Sequence, residues 1–407
     1  MNPFAGSRIT PTMCQRMLCV LAAALAGCAH IRNPVPVEAM NRAEVVGFPG
    51  IRAWSEHVEP IQNSLAESIR QALRHDPRGT LDETGRYNVL TISGGGANGA
   101  FGAGLLCGWT ESGTRPTFKM VTGISTGALI APFAFAGPKY DATLKRFYTT
   151  VSSKDILIVR PLIQIAFGAE SVAETAPLAR LLEQCIDPTL LADIAAEHGK
   201  GRRLFVGTTN LDTGRLVVWD MGAIAGSARP EALGLFRKIM LASASIPIAF
   251  PPQYFAVEAD GRAYDEMHVD GGVMVQAFLY GVPVDVEALR REAGPLGDAK
   301  GRIYVIRNGQ VLMPPEHTAP KLSAIAERSI TGFIDAQAIG DIFRLHAIAR
   351  QDDMEFKLAH IPAEFKFEGK ELFDREDMKR LFEMGYRMAL AGYPWQQQPP
   401  AFDVPRM

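Results

Sequence analysis

An α/β fold on a largely parallel sheet is what this sequence predicts, because one local pattern occurs twice. Tyr87-Asn88-Val89-Leu90-Thr91-Ile92 is a run of β-branched and apolar residues that breaks into Ser93-Gly94-Gly95-Gly96 and continues helically from Phe101 to Trp109. The same strand, glycine turn and helix return in Phe118 to Thr122, Gly123 to Gly127 and Ala128 to Phe135. Strands alternating with helices pair in parallel through crossovers. Size agrees: 407 residues, 47% hydrophobic and 21% charged, suffice for one large core. With no internal repeat and no second composition, residues 61–395 read as one domain.

Taken in order, the first 27 residues differ in kind. Arg8 and Arg16 precede an apolar run from Met17 to Ala26 that is too short to span a bilayer and has the proportions of a secretory signal. It closes on Leu25-Ala26-Gly27-Cys28, which resembles a bacterial lipobox, so 1–27 is expected to be a lipoprotein signal peptide and Cys28 the acylated first residue of the mature chain. Such acyl chains add membrane affinity of about 0.8 kcal/mol per buried methylene. Ala29 after the cysteine, rather than Asp, points to the outer membrane of a cell envelope. The plainer alternative is an ordinary cleaved signal with Cys28 incidental. Residues 28–60, with Asn33-Pro34-Val35-Pro36, read as a tether. Cys107 and Cys185 then remain as the only thiols of the body, too few for a disulfide framework; buried free thiols are expected, with one bridge between the two as the alternative.

Ile61 to Arg74 carries apolar residues at helical spacing (Ile61, Leu65, Ile69, Leu73), stopped by Asp76-Pro77-Arg78-Gly79. Leu204 to Thr208 and Leu216 to Trp219 flank Asp212-Thr213-Gly214, a hairpin signal, and Ile303 to Ile306 reads as a buried strand. From Ala324 to Gly392 the tail is mainly helical, with Gly392 and Pro394 as stops.

A formal net charge of −2 without a sustained Lys/Arg block argues against nucleic-acid binding. Three motifs carry chemistry. Gly123-Ile124-Ser125-Thr126-Gly127 fits a nucleophile elbow, with small residues permitting the sharp strand-to-helix turn that exposes Ser125 at a helix N-terminus. Gly94-Gly95-Gly96-Ala97-Asn98-Gly99 supplies backbone amides that can approach one oxygen atom, as an oxyanion hole requires. Gly94, Gly96 and Gly99 also satisfy the dinucleotide fingerprint, yet the next strand ends in Thr122-Gly123-Ile124-Ser125 and not in the acidic residue that fingerprint wants. His268-Val269-Asp270-Gly271-Gly272 is by itself only a turn signal.

In this order the three blocks resemble the patatin-like phospholipases, over roughly Tyr87 to Asn308 and including Ala242 to Pro247 with Phe250-Pro251-Pro252. The resemblance implies a three-layer α/β/α fold with a mainly parallel sheet, and hydrolysis of lipid acyl esters without metal or organic cofactor. It makes Ser125 the nucleophile, Asp270 its base, and Gly94, Gly95, Gly96 and Gly99 the oxyanion loop. The partner implied is a membrane lipid or other acyl ester. Asn98 departs from the family, many members having Lys or Arg there, which removes a positive charge near the site. The apolar stretch from Ile156 to Phe167 is then core, acyl-chain groove or membrane-facing lid. Three other readings stand beside this one: an α/β-hydrolase triad completed by His317, His346 or His360, a non-catalytic envelope lipoprotein, and the dinucleotide enzyme. His268 shares a strand face with Asp270 and is a further candidate.

Overall fold

The computed structural model describes residues 32–400 except 77, 79, 80, 167, 312–314, 316 and 370. The expected signal peptide and Cys28 lie outside the described residues.

Among the described residues twelve strands are numbered in chain order: β1 (Glu44–Val45), β2 (Arg52–Ala53), β3 (Tyr87–Ile92), β4 (Phe118–Ile124), β5 (Ile158–Val159), β6 (Ala173–Glu174), β7 (Arg203–Asn210), β8 (Arg215–Asp220), β9 (Gln253–Ala259), β10 (Arg262–Asp270), β11 (Gly301–Arg307) and β12 (Glu355–His360). Ten form one sheet in the order β1-β9-β10-β7-β4-β3-β11-β12, with β8 pairing β7 and β2. The half from β7 to β12 is parallel. The other half, through β8, β10, β9 and β1, is antiparallel.

Side chains alternate along the parallel strands, and the two sets build two cores. Leu90, Ile92, Val121, Leu204, Val206 and Ile306 join one, which the helices Gly99–Glu111, Thr126–Ala136, Ala232–Ser243 and Arg375–Leu390 cover. Val89, Met120, Phe205, Ile303 and Val305 join the other, under the helices Glu59–His75 and Leu322–Gln351. A strand apolar on both faces needs helices on both, which gives the three-layer α/β/α arrangement. The expected hairpin is β7 to β8. Cys107 and Cys185 are buried and free.

One expectation needs correction, and one, the mainly helical tail, gains a detail. From Arg32 onward the stretch read as a tether belongs to the body: β1 pairs with β9, β2 pairs with β8, and Val35, Phe48, Ile51 and Trp54 are buried. Its apolar residues follow no regular period, because each meets a different part of the sheet. The tail also contains a strand, β12, which closes the parallel edge beside β11. No helix among the described residues is long and apolar enough to cross a membrane.

Candidate active site

Ser125 occupies the turn between β4 and the helix Thr126–Ala136, with φ 54° and ψ −125°. A non-glycine residue there is strained at a cost on the order of 1–3 kcal/mol and persists only when its surroundings enforce it. Here they do. A Cβ at Gly127 would fall 2.2 Å from the Ile92 carbonyl oxygen, so only glycine lets the helix start this close to β3. The Ser125 amide donates to Ser243 Oγ at 3.0 Å, and that hydroxyl donates to the Gly207 carbonyl at 2.7 Å.

Strand register brings Asp270 to the serine. β4 runs along β7 until Ile124 faces Gly207; β10 arrives from the opposite direction along the same edge and ends with Asp270 facing Thr208. Two strands far apart in sequence therefore meet end to end, each delivering one side chain. The Asp270 amide donates to the Ser245 carbonyl at 2.9 Å. The stretch Ala242 to Pro247 thus holds both residues, through Ser243 and Ser245.

The Asp270 carboxylate is buried. Oδ1 accepts from the Gly272 amide at 2.7 Å, whereas Oδ2 has no hydrogen-bond partner among the described residues. Burial pushes its pKa up to about 7, against the lowering influence of the nearby Ser125 hydroxyl and the Gly272 amide. That hydroxyl is near enough to act on the carboxyl without reaching hydrogen-bond geometry. Resting sites often show such contacts before substrate tightens them.

The glycine loop meets expectation in part. The Gly94 amide is taken by the Gln276 carbonyl at 3.0 Å, and the Gly99 amide by the carbonyls of Gly96 and Ala97. Neither is available to an oxyanion, which corrects the expected set. Gly95 and Gly96 open the short 3₁₀ turn that follows, where the first amides have no partner within the turn. Gly95 has φ 152°, and a Cβ on it would lie 2.1 Å from the Asn308 carbonyl oxygen. Asn308 is a residue that sequence reasoning missed. Its amide and Nδ2 donate to Ser93 Oγ and O, both at 2.9 Å, and its Oδ1 accepts from the Gly102 amide at 3.1 Å. It clamps the loop at both ends.

Ser125 and Asp270 line a cavity of about 960 Å³ together with Gly95, Gly96 and Asn98. Arg307 and Arg328 line it as well. Two guanidinium groups thus stand on other walls than Asn98, but Asp335 on the same lining pairs with Arg307 at 2.9 Å. A second, narrow cavity of about 30 Å³ also reaches Ser125 and Gly96, between Leu129, Phe147, Ile156 and Phe250. The apolar stretch divides accordingly: Ile156 is buried against this slot, but Ile158, Val159, Leu162 and Ile163 are 49% to 83% exposed and form no core.

No described histidine lines either cavity beside Ser125. His268 is fully buried, with Nδ1 against Thr208 Oγ1 at 2.9 Å and Nε2 against Glu266 Oε2 at 3.1 Å. His360 bonds to Ile361 and Gln396, His346 packs on Phe356, and His317 is exposed. Among the described residues no cluster of side chains suits a metal ion.

Residues 90–286 match the model of the family described as Patatin-like phospholipase. The match supports lipid-ester hydrolysis as the general activity. No curated protein matches the chain. Among solved structures it is similar to VipD from Legionella pneumophila, with 12% identity over 76% of this chain and 68% of that one and a TM-score of 0.33. It is also similar to human GIVD cytosolic phospholipase A2, with 11% identity, 87% and 66% coverage and a TM-score of 0.33. A third likeness is to the complex of full-length SpcU with full-length ExoU from the type III secretion system of Pseudomonas aeruginosa, with 16% identity, 77% and 52% coverage and a TM-score of 0.28. The chain thus spans just under two thirds of the human protein's length and about half of the last, and likenesses this loose carry no argument about mechanism.

Proposed function

We propose that this chain hydrolyses carboxylic ester bonds of lipids, phospholipids included, through a Ser125–Asp270 dyad and an acyl-enzyme intermediate. One observation carries the reading: a strained serine and a buried aspartate with an unpartnered oxygen are delivered to one cavity by strands that meet end to end. In this reading Ser125 Oγ attacks the ester carbonyl carbon while its proton passes to Asp270 Oδ2. The amides of Gly95 and Gly96 hold the oxyanion, aided by the helix N-terminus. Collapse expels the alcohol, which takes the proton from Asp270 and leaves the acyl group on Ser125. Water, deprotonated by Asp270, then releases the acid. The apolar slot suits the acyl chain and the wide cavity, with its arginines, the head group. A carboxyl with pKa near 7 is a far better base at neutral pH than one near 4.

Acid quench during turnover of p-nitrophenyl butyrate, followed by peptide mass spectrometry, tests this. Butyryl mass is expected on the peptide containing Ser125. Its absence, with activity retained in Ser125→Ala, would overturn the reading.

We also propose that the mature chain begins at an acylated Cys28 and is anchored in a bacterial envelope, at the outer membrane, where its substrate lipid lies. The support is the lipobox-like Leu25-Ala26-Gly27-Cys28. Cys28→Ser should free the protein from the membrane fraction, and unchanged fractionation with no acyl mass at the N-terminus would refute anchoring.

A further inference from the structure

Six residues before Ser125, at the opposite end of β4, Lys119 faces a different cavity. At about 3.3 Å per residue the two points are separated by about 20 Å along the strand. This cavity, of about 170 Å³, lies between the helices Glu59–His75 and Val286–Ala293 and the starts of β3 and β4. Its walls are mostly apolar: Leu65, Ile69, Val89, Met120, Val286 and Leu289. Against them stand a few polar groups, among them Lys119, Arg203, Tyr280 and Arg290.

The charges do not balance at the Lys119 end. Its ammonium donates to the carbonyl oxygens of Gly201 and Ser68, and among the described residues no carboxylate pairs with it. An ammonium has three N–H donors, so one is left over. The Arg203 guanidinium next to it also hydrogen-bonds only neutral acceptors, Ser64, His198, Arg202 and Gln71, although the charges of Asp220 and Glu67 act on it without a direct bond. Burial, with Arg203 and Arg202 nearby, pushes the Lys119 amine down to about 7. Arg290 is differently placed, being paired with Glu287 at 2.7 Å. A partly buried cation without a counter-ion is costly, and Met would fill the same volume without that cost. A ligand carboxylate entering the cavity would supply the missing counter-ion and favour the ammonium form.

We infer that this cavity is a second ligand site, which takes a medium-chain carboxylic acid with its carboxylate on Lys119 and its hydrocarbon tail between Leu65, Ile69 and Leu289. Charge complementarity selects the head and the apolar walls select the tail. The cavity is remote from Ser125, so the inference is independent of the reaction proposed above, and Ser125→Ala should leave this site intact.

Decanoate and its uncharged analogue decanol are suitable probes. Titrations of the full chain should be followed by calorimetry and by the Met120 methyl signal in ¹³C-methyl-methionine-labelled protein, assigned with Met120→Leu. Decanoate is expected to shift that signal. Lys119→Met should weaken decanoate about 10- to 100-fold, as loss of a charge-assisted hydrogen bond implies, while decanol binding changes little. Leu289→Trp, which fills the cavity from the other wall and keeps Lys119, should abolish both. A Met120 signal unmoved by decanoate, or equal decanoate affinity in wild type and in either folded variant, would overturn the inference.

Discussion

Two carboxylates four residues apart on β10 behave in opposite ways. Glu266 is buried, yet Arg52 grips it with two nitrogens, at 2.5 and 3.1 Å, and His268 adds a third contact. Burial alone would raise the Glu266 carboxyl, but the charge of Arg52 and the bonds from His268 and Arg52 hold it down at about 2. The cluster continues from His268 to Thr208 and on to Trp219 Nε1, at 2.7 Å, with Arg52 Nε its one unpaired atom. Asp270 is equally buried but, among the described residues, meets no cation; burial wins and one oxygen stays bare. What separates a structural carboxylate from a candidate base on this strand is therefore the counter-ion, not depth.

The largest test of that contrast is activity. Asp270→Asn is expected to lose on the order of 10⁴-fold in kcat/KM for a soluble ester, as Ser125→Ala does, since nucleophile and base act as a unit. Folded His268→Gln should stay within about tenfold of wild type; a loss equal to that of Ser125→Ala would make the histidine, not Asp270, the proton acceptor.

On the other side of the comparison, Arg52→Met strands the Glu266 carboxylate in the core. Urea unfolding should show a loss of about 3–5 kcal/mol, the usual result of breaking a buried pair from one side. A loss below 1 kcal/mol, within the range of exposed pairs, would mean that Glu266 finds water or a proton instead.

The pH profile sharpens the assignment to Asp270. As the proposed base Asp270 would work as its carboxylate, so kcat/KM should fall tenfold per unit below about pH 7 and level off above it. Stability runs the other way. Between an unfolded pKa of about 4 and the folded value near 7, the native chain holds a proton that the unfolded chain lacks, so this group's contribution declines as pH rises through that window. Asp270→Asn should accordingly raise unfolding stability at pH 8, by about 1–3 kcal/mol. A rate profile flat from pH 5 to 8 would assign the proton transfer elsewhere.

The smallest effect concerns Asn98. Because Arg307 and Arg328 already line the wide cavity, Asn98→Arg should change the ratio of rates on anionic and zwitterionic phospholipid only about two- to fivefold, the scale of a partly screened charge. A change of a hundredfold would give that loop position control of head-group choice.

How much of this was legible follows from distance along the chain. Ser125 was, because strand, turn and helix are local and each piece of Gly123 to Gly127 has a local reason. Asp270 became readable only through the three-motif resemblance, since its meeting with Ser125 depends on where β4 and β10 stop along β7. The commitment of the Gly94 amide was hidden because its acceptor, Gln276, is remote in sequence. Arg52 with Glu266 escaped for the same reason. The stretch 32–60 was misread because proline content speaks for a linker, while Val35, Phe48 and Trp54 bury their side chains one at a time. β12 does alternate polar and apolar residues from Glu355 to Leu358, as a half-buried strand does, but so short a run between two long helical stretches is easily passed over.

The position of β11 bears on how this protein can be cut. The stretch that matches the family ends at 286, but β11 begins at Gly301 and lies inside the sheet, between β3 and β12. An expression product that ended at 286 would bare the apolar flank of β3 and leave the Gly95 turn without Asn308 to rest on. An unpaired flank of that kind recruits other chains edge to edge. Any shortened version intended for crystals or assays therefore has to retain the C-terminal third, although none of the three sequence motifs lies there.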